Sequence, residues 1–338
     1  MKRTLKALKT YCYKEWRRSP EMATVRVVNP GELQFCDGRI DVHLYRKGVQ
    51  GPQDKAAPLE PLMKGFDKLD IDDEGEAFIE GDDMALLVEA EQWHGQELKV
   101  GPWDDAHAIT DTRWMKAAVE MLAPAMANEE ARYYLNAIAI DDHDIVAVNG
   151  RILATLATPV KLYDNVKPFL IWRNAVPVIK AMINDFDLPE AVFYDMTDNN
   201  MCLVFDGAEL TIRTIENHHY PDWRRVIPYD APLRGKVQAD VFVKACRQLK
   251  KMGARSVTWA NGRLMARLPE GKISVDMSGI RDDALIRLVP EEAIALLAPL
   301  KKRTVRLYQK DPSSPIRFEV MEPVEAGKWT GVAMPARF

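Results

Sequence analysis

The 338-residue chain has few cysteines, few histidines and no long apolar run. Its four cysteines, Cys12, Cys36, Cys202 and Cys246, lie far apart and form no C-x-x-C pair, so neither a zinc framework nor a disulfide scaffold is indicated. No stretch approaches the roughly 18 consecutive apolar residues of a membrane span. The basic N-terminal MKRTLKALKTYCYKEW lacks the unbroken apolar core of an export signal. The expected setting is therefore a reducing cytoplasm, with no membrane partner.

Signatures of catalysis are also missing. There is no G-x-G-x-x-G, P-loop, G-x-S-x-G or H-E-x-x-H. Cys36 sits beside Asp37 at a turn, with no histidine placed by sequence to activate it. His218 and His219 are adjacent, so in an extended chain they point to opposite sides and read as a loop or strand end. The cluster DDHD, Asp141 to Asp144, joins the apolar runs AIAI and IVAV and reads as a polar hairpin loop before it reads as a metal site. With no nucleophile, base or metal set, the expectation is a non-enzyme without cofactors.

What is present is ordinary globular composition: 47% hydrophobic and 28% charged residues, enough apolar surface to exclude disorder over most of the length. The length favours two or three domains. Leu33 and Phe35 before Asp37-Gly38, and Ile40, Val42 and Leu44 after it, alternate with polar residues and predict a half-buried antiparallel hairpin. The same grammar returns from Ser256 to Met277, around Asn261-Gly262 and Pro269 to Gly271.

Helical spacing appears in six windows, 1–18, 59–68, 112–126, 171–183, 239–252 and 290–303. Leu5, Leu8, Cys12 and Trp16 mark the first. Trp114, Ala118, Met121 and Leu122 mark the third, capped by Asp111 or Thr112. Asn174 is the expected cap of the fourth, with Pro177 in its first turn, and Phe242, Ala245, Cys246 and Leu249 mark the fifth. The order reads as three copies of helix, strands, helix, strands, at a period near 113 residues. The fold class expected is α+β, with domains 1–109, 110–228 and 229–338.

Charge is partitioned along the same lines. The six windows hold 20 Lys and Arg against 7 Asp and Glu, a net +13, which leaves −17 for the rest of a chain whose total is −4. Basic helices and acidic strands suggest a positive lining that follows a phosphate backbone without reading bases.

With that order in place, ARYYLNAIAIDDHDIVAVNGRILA (131–154) and YPDWRRVIP (220–228) resemble the middle domain of the bacterial beta sliding clamp family, whose pattern is an RYYLNG-like strand, a TDGHRLA-like turn and an FPDYRRVLP-like segment. VAMPARF (332–338) resembles its VVMPMRL-like C-terminus. The first 110 residues match only in pattern, with CDGRI where the family has ADGTL-like chemistry. The resemblance implies three clamp domains per chain and a two-chain ring, with sheets outside and paired helices lining a channel. The implied partners are double-stranded DNA, a DNA polymerase, a clamp loader, other proteins carrying clamp-binding motifs, and a second copy of the chain.

Carried onto this sequence, the implied channel residues are Lys2, Arg3, Lys6, Lys9, Arg113, Lys116, Arg173, Lys180, Lys244, Arg247 and Lys251. The family's partner-peptide groove maps to Tyr134, Leu135, Val148, Gly150, Leu153, Pro221, Arg225, Val226, Val332, Met334 and Pro335, with Trp223 packed inside. Departures are specific: Arg151-Ile152 replaces His-Arg after the turn glycine, Asn149 replaces the turn aspartate, and Lys250, Lys251 and Met252 end a helix where the family tends to be apolar. The compact, divergent chain fits a bacteriophage or mobile-element version. The rival reading is a clamp-fold regulator or decoy that binds partner peptides without encircling DNA.

Overall fold

The computed structural model describes residues 1–15, 23–81, 84–93, 95, 98, 109, 111–158, 169–195, 198–216, 220–281, 283–324 and 326–336. Trp16, His218, His219 and residues 337 and 338 of VAMPARF lie outside the described residues. Two compact units form, one from Met1–Val119 with Ile171–Glu216, the other from Glu120–Leu170 with Asn217–Phe338.

The first unit contains helices α1 (Lys2–Glu15), α2 (Leu59–Leu62), α3 (Arg113–Ala117) and α4 (Val176–Phe186). Its larger sheet is antiparallel throughout, in the order 191–195, 200–205, 208–213, 40–45, 32–36, 24–29, 55–58, 91–92. The expected hairpin closes at Asp37-Gly38, where Asp37 Oδ1 accepts from Arg39 N and Ile40 N and Gly38 takes a positive φ. Leu33, Phe35, Ile40, Val42 and Leu44 are all buried as the alternation predicts.

The polar face of that hairpin is buried too, which corrects the half-buried expectation. Gln34 and Asp41 are nearly inaccessible because they bond to each other and to neighbours: Gln34 Nε2 donates to Asp41, Arg26 Nε donates to Gln34 Oε1, and His43 lies between Glu32 (2.6 Å) and Asp41 (3.1 Å). Arg26 is in turn covered by the Trp93 ring at 3.7 Å. Burial works against the His43 imidazolium, but hydrogen bonds and charge from Asp41 and Glu32 outweigh it and push its pKa up to about 9. The unit's smaller sheet runs 49–50, 68–71, 76–81, 84–89.

Helix α1 buries Leu5, Leu8, Tyr11 and Cys12 on one face and packs against α4 as well as α2. Its N-terminus meets the last turn of α4. Asp185 accepts from Thr4 N (2.8 Å) and Thr4 Oγ1 (2.9 Å) and pairs with the Met1 ammonium (2.7 Å), while Arg3 Nη1 donates to Asn184 O.

Three helix expectations change. α2 is a single turn, because Pro61 and Gly65 interrupt the window 59–68. The window 171–183 opens as the end of strand Phe169–Trp172, so Arg173 lies in the following turn and α4 starts only at Val176, with Ala175 rather than Asn174 at its cap. After five residues α3 loosens into a π turn at Ala118–Leu122 and a 3-10 turn at Ala123–Ala125, where Pro124 has no N–H for an α ladder. Thr112 makes no cap bond there; its hydroxyl donates to Pro189 O.

In the second unit, seven strands follow in the order 137–141, 144–148, 152–157, 328–333, 316–320, 304–308, 233–238. A four-stranded sheet runs 271–276, 263–268, 257–260, 286–288. Helices α5 (Ala239–Lys251) and α6 (Pro290–Leu297) pack together. α5 buries Phe242, Val243, Ala245, Cys246 and Leu249, with Phe242 against Trp259 at 5.4 Å between ring centroids. α6 lies on strands 152–157 and 328–333, and Gly331 makes that approach possible: a Cβ there would meet Leu296 Cδ1 at 3.0 Å and the Trp329 ring at 2.5 Å.

The α1–α4 junction generates a pH-dependent prediction. Burial raises the Asp185 carboxyl, but its bonds to the ammonium group and Thr4 prevail and hold it below the ordinary value of 3.8. Its stabilisation is therefore complete above the unfolded value and is lost as pH falls through the lower folded one. Asp185→Ala should cost about 1–2 kcal/mol at pH 7 in urea denaturation, with the difference from wild type shrinking towards pH 2. His43 has the opposite sign, its contribution being present at neutral pH and lost as pH rises through about 9.

Candidate functional site

The second unit holds an apolar cavity of about 230 Å³. Its floor comes from one strand ladder, in which Val148 opposes Leu153 and Leu153 opposes Val332. Met334 follows that last strand and is tied back by Met334 N donating to Arg151 O. One wall is the 3-10 turn Tyr133–Leu135, which contributes Tyr134 and Leu135. The other is the YPDWRRVIP segment, whose 3-10 turn Trp223–Val226 brings Pro221, Asp222, Trp223 and Val226 to the wall.

The geometry of this second turn explains the fate of its two arginines. At three residues per turn, Trp223 and Val226 share a side, so Arg224 and Arg225 must face elsewhere. Arg224 donates to Asp141 Oδ2 and Asp144 Oδ2, both at 2.7 Å, and its guanidinium lies 4.2 Å from the Trp223 ring centroid. The DDHD cluster is therefore the tip of hairpin 137–148, read correctly as a loop and used as an anchor for the cavity wall. Burial pushes the Asp144 carboxyl up, and the Arg224 guanidinium pulls against it.

Nine of the eleven groove residues expected from the sequence surround this cavity: Tyr134, Leu135, Val148, Gly150, Leu153, Pro221, Val226, Val332 and Met334. Arg225 does not. Its side chain is 83% exposed and pairs with Asp222 at 2.7 Å, because its turn position points it away. Pro335, one residue beyond Met334, is likewise off the wall. Sequence reading missed Arg132, Arg151, Ile152 and Asp222 as lining residues. The Arg151-Ile152 departure from the family pattern was the available signal for two of them.

Among the expected channel residues, Lys2, Lys6, Lys116, Lys180, Lys244, Arg247 and Lys251 are exposed and form no ion pair among the described residues. Arg3 is bound to Asn184 O, Lys9 pairs with Glu60 at 3.0 Å, and Arg113 is held by Asp111. Arg173 lies in a turn, off any helix. Lys250 pairs with Glu291 at 3.0 Å. All four cysteines are buried thiols, and burial raises their pKa. Among the described residues no group of three or more His, Cys, Asp or Glu side chains is placed to hold a metal, and no helix is long and apolar enough to cross a membrane.

No family model matches the chain. Over 319 residues it is 22% identical to the beta sliding clamp of Salmonella typhimurium, covering 85% of this chain and 86% of that protein. It is 22% identical over 245 residues to the beta sliding clamp of Caulobacter vibrioides, a match that spans 66% of this chain and 64% of the relative's length. Among solved structures, the sliding clamp of Bartonella birtlesii bound to griselimycin superposes with a TM-score of 0.80 at 17% identity, covering 100% of this chain and 97% of that one. The DNA polymerase III beta subunit of Thermotoga maritima gives 0.81 at 16%, with the same coverage. The fold is that of the DNA sliding clamps. In sequence the chain is similar to bacterial beta sliding clamps, at 22% identity.

The Arg224 anchor is testable without a ligand. Arg224→Ala leaves Asp141 and Asp144 facing each other unpaired and should cost about 1–2 kcal/mol in thermal or urea unfolding, discounted for the partial exposure of the pair. Adding Asp144→Asn should recover part of that loss; equal stability of Arg224→Ala and wild type would rule the anchor out.

Proposed function

We propose that the protein is a non-catalytic, cytoplasmic DNA sliding clamp, closing as a ring of two chains around duplex DNA and tethering a DNA polymerase, its loader and other factors through the cavity. The observation that carries the reading is the run of exposed cations, without an ion pair among the described residues, on helices of a clamp fold: Lys2 and Lys6 on α1, Lys116 on α3, Lys180 on α4, and Lys244, Arg247 and Lys251 on α5. A surface that meets phosphates through unpaired Lys and Arg without base contacts permits sliding.

The three-domain division 1–109, 110–228 and 229–338 belongs to this reading. The compact units divide inside the middle repeat because its strands join both neighbours by ladders, 208–213 to 40–45 and 152–157 to 328–333. Ring closure by two copies is supported by charge. Strands 84–89 and 271–276 are each the outer strand of a four-stranded sheet. The first sheet exposes Glu76, Glu80 and Glu89 around Phe78 and Leu87, and the second exposes Arg263, Arg267 and Lys272.

Light scattering should give a mass near twice 38.4 kDa. After loading, the protein should remain on nicked circular DNA and run off once the circle is linearised; equal retention on both forms would sink the sliding mechanism and favour the regulator or decoy. Leu153→Asp or Val226→Asp should weaken binding of a polymerase tail peptide by at least tenfold, by placing a charge in the apolar cavity. Arg225→Ala should change it less than twofold, since Arg225 is off the wall.

A further inference from the structure

We propose that the open face of the four-stranded sheet in the second unit binds the phosphate backbone of a single-stranded nucleic acid, at a site distinct from the cations of α5. The inference goes beyond the sliding-clamp reading and does not rest on it.

The sheet has one face in the core and one outside it. Val257, Trp259, Leu264 and Ile286 are buried, and Trp259 packs on Phe242 of α5, so α5 lies behind the inner face. Side chains alternate along each strand, so the outer face carries a straight row in which Arg287 opposes Thr258, Thr258 opposes Met265 and Met265 opposes Ser274. Arg267 and Lys272 oppose each other on that same face, one pleat further along their strands. With Ser256, these side chains line an open depression of about 600 Å³. At about 4.8 Å between neighbouring strands, the row that crosses it is about 14 Å wide.

Charge on this face is not balanced. Strands 263–268 and 271–276 meet on it in three pairs: Arg263 with Asp276, Met265 with Ser274, and Arg267 with Lys272. The first matches opposite charges, with Arg263 Nε lying 3.2 Å from Asp276 Oδ1. The last sets like charges directly opposite each other, an arrangement that costs a ladder stability. Arg267 and Lys272 are both exposed, and neither has an ion pair among the described residues. An anion seated between them offsets the repulsion, with Arg287 as a third cation and the hydroxyls of Ser256, Thr258 and Ser274 as further donors.

The lining also selects among anions. An acidic peptide segment needs apolar anchors as well as charge, and the row offers it only Met265. Among the described residues no aromatic ring lines the depression, so bases have no platform on which to stack. What remains is a concave strip of cations and hydroxyls, suited to successive phosphates of one flexible strand, without sequence reading and with a strong salt dependence. A rigid duplex is convex and meets such a strip along one edge only.

The test titrates the full-length protein into a fluorescent hexathymidylate and follows anisotropy over a range of salt concentrations. Arg267→Gln/Lys272→Gln should weaken binding at least fivefold and flatten the log–log salt slope by about 1.4, two phosphate contacts at about 0.7 each. Its thermal stability should equal or exceed that of wild type, since the like-charge pair is gone. Lys244→Gln/Arg247→Gln on α5 should change the affinity less than twofold. Equal affinity of wild type and the sheet variant, or a loss confined to the α5 variant, would overturn the proposal. A hexaglutamate peptide that competes as well as unlabelled hexathymidylate would make the face an acidic-protein surface instead, and a blunt duplex hairpin that binds as tightly would remove the single-strand assignment. Strand 271–276 is also an outer strand invoked for ring closure, so the mass of the double variant is checked by light scattering. If it changes, Arg287→Gln, on the opposite edge of the sheet, carries the same comparison with a slope change of about 0.7. Retention on nicked circles tests the sliding-clamp reading separately, and a failure here leaves that reading standing.

Discussion

One strand pairing organises everything that follows in the second unit. Six residue pairs, from Ile152 with Ala333 to Ala157 with Lys328, join strands more than 170 residues apart in the chain. That ladder sets Leu153 opposite Val332, makes the cavity floor continuous and brings the C-terminal Met334 to the rim. It also presents the surface on which α6 packs, with Gly331 leaving space for Leu296 and Trp329. Backbone hydrogen bonds supply the register, and the apolar side chains that they align supply most of the burial.

The cavity walls are held by charge where the floor is held by the sheet. Short 3-10 turns cannot bury much on their own, and both walls are such turns. Arg224 ties one to the 137–148 hairpin, while Arg132 and Arg151 are tied by Glu129 and Glu292. The apolar pocket thus takes its shape from contacts within the protein itself, the kind of preorganisation that lowers the ordering cost of binding a ligand. The first unit uses the same device at α1, whose N-terminus is satisfied by Asp185 from α4.

Much of this was legible in the residues. The hairpin at Asp37-Gly38, the strands from Val257 to Asp276 and the amphipathic faces of α1 and α5 follow from period and turn chemistry, which are local. The cavity was legible only through motif resemblance, since Tyr134, Leu153, Pro221 and Met334 have no common local pattern. The errors were local competitions resolved by context. Arg173 fell off a helix because the strand ahead of it extends to Trp172, and α3 unwound as it approached Pro124. Arg225 stands on the outer side of its turn, because the segment folds as a 3-10 turn and not a strand, a choice that nine residues alone do not reveal.

Composition and spacing carry the alternation of basic helices with acidic strands and loops and the amphipathic periods of α1 and α5, while the clamp-like middle and C-terminal segments are legible through resemblance of their motifs. The folded molecule alone shows which arginine of YPDWRRVIP anchors the wall and which stands in solvent, that Gln34 and Asp41 are buried partners, and that Arg132 and Arg151 flank one glycine. Each of these depends on where a charged group finds its counter-charge, and that partner comes from another part of the chain in the folded molecule.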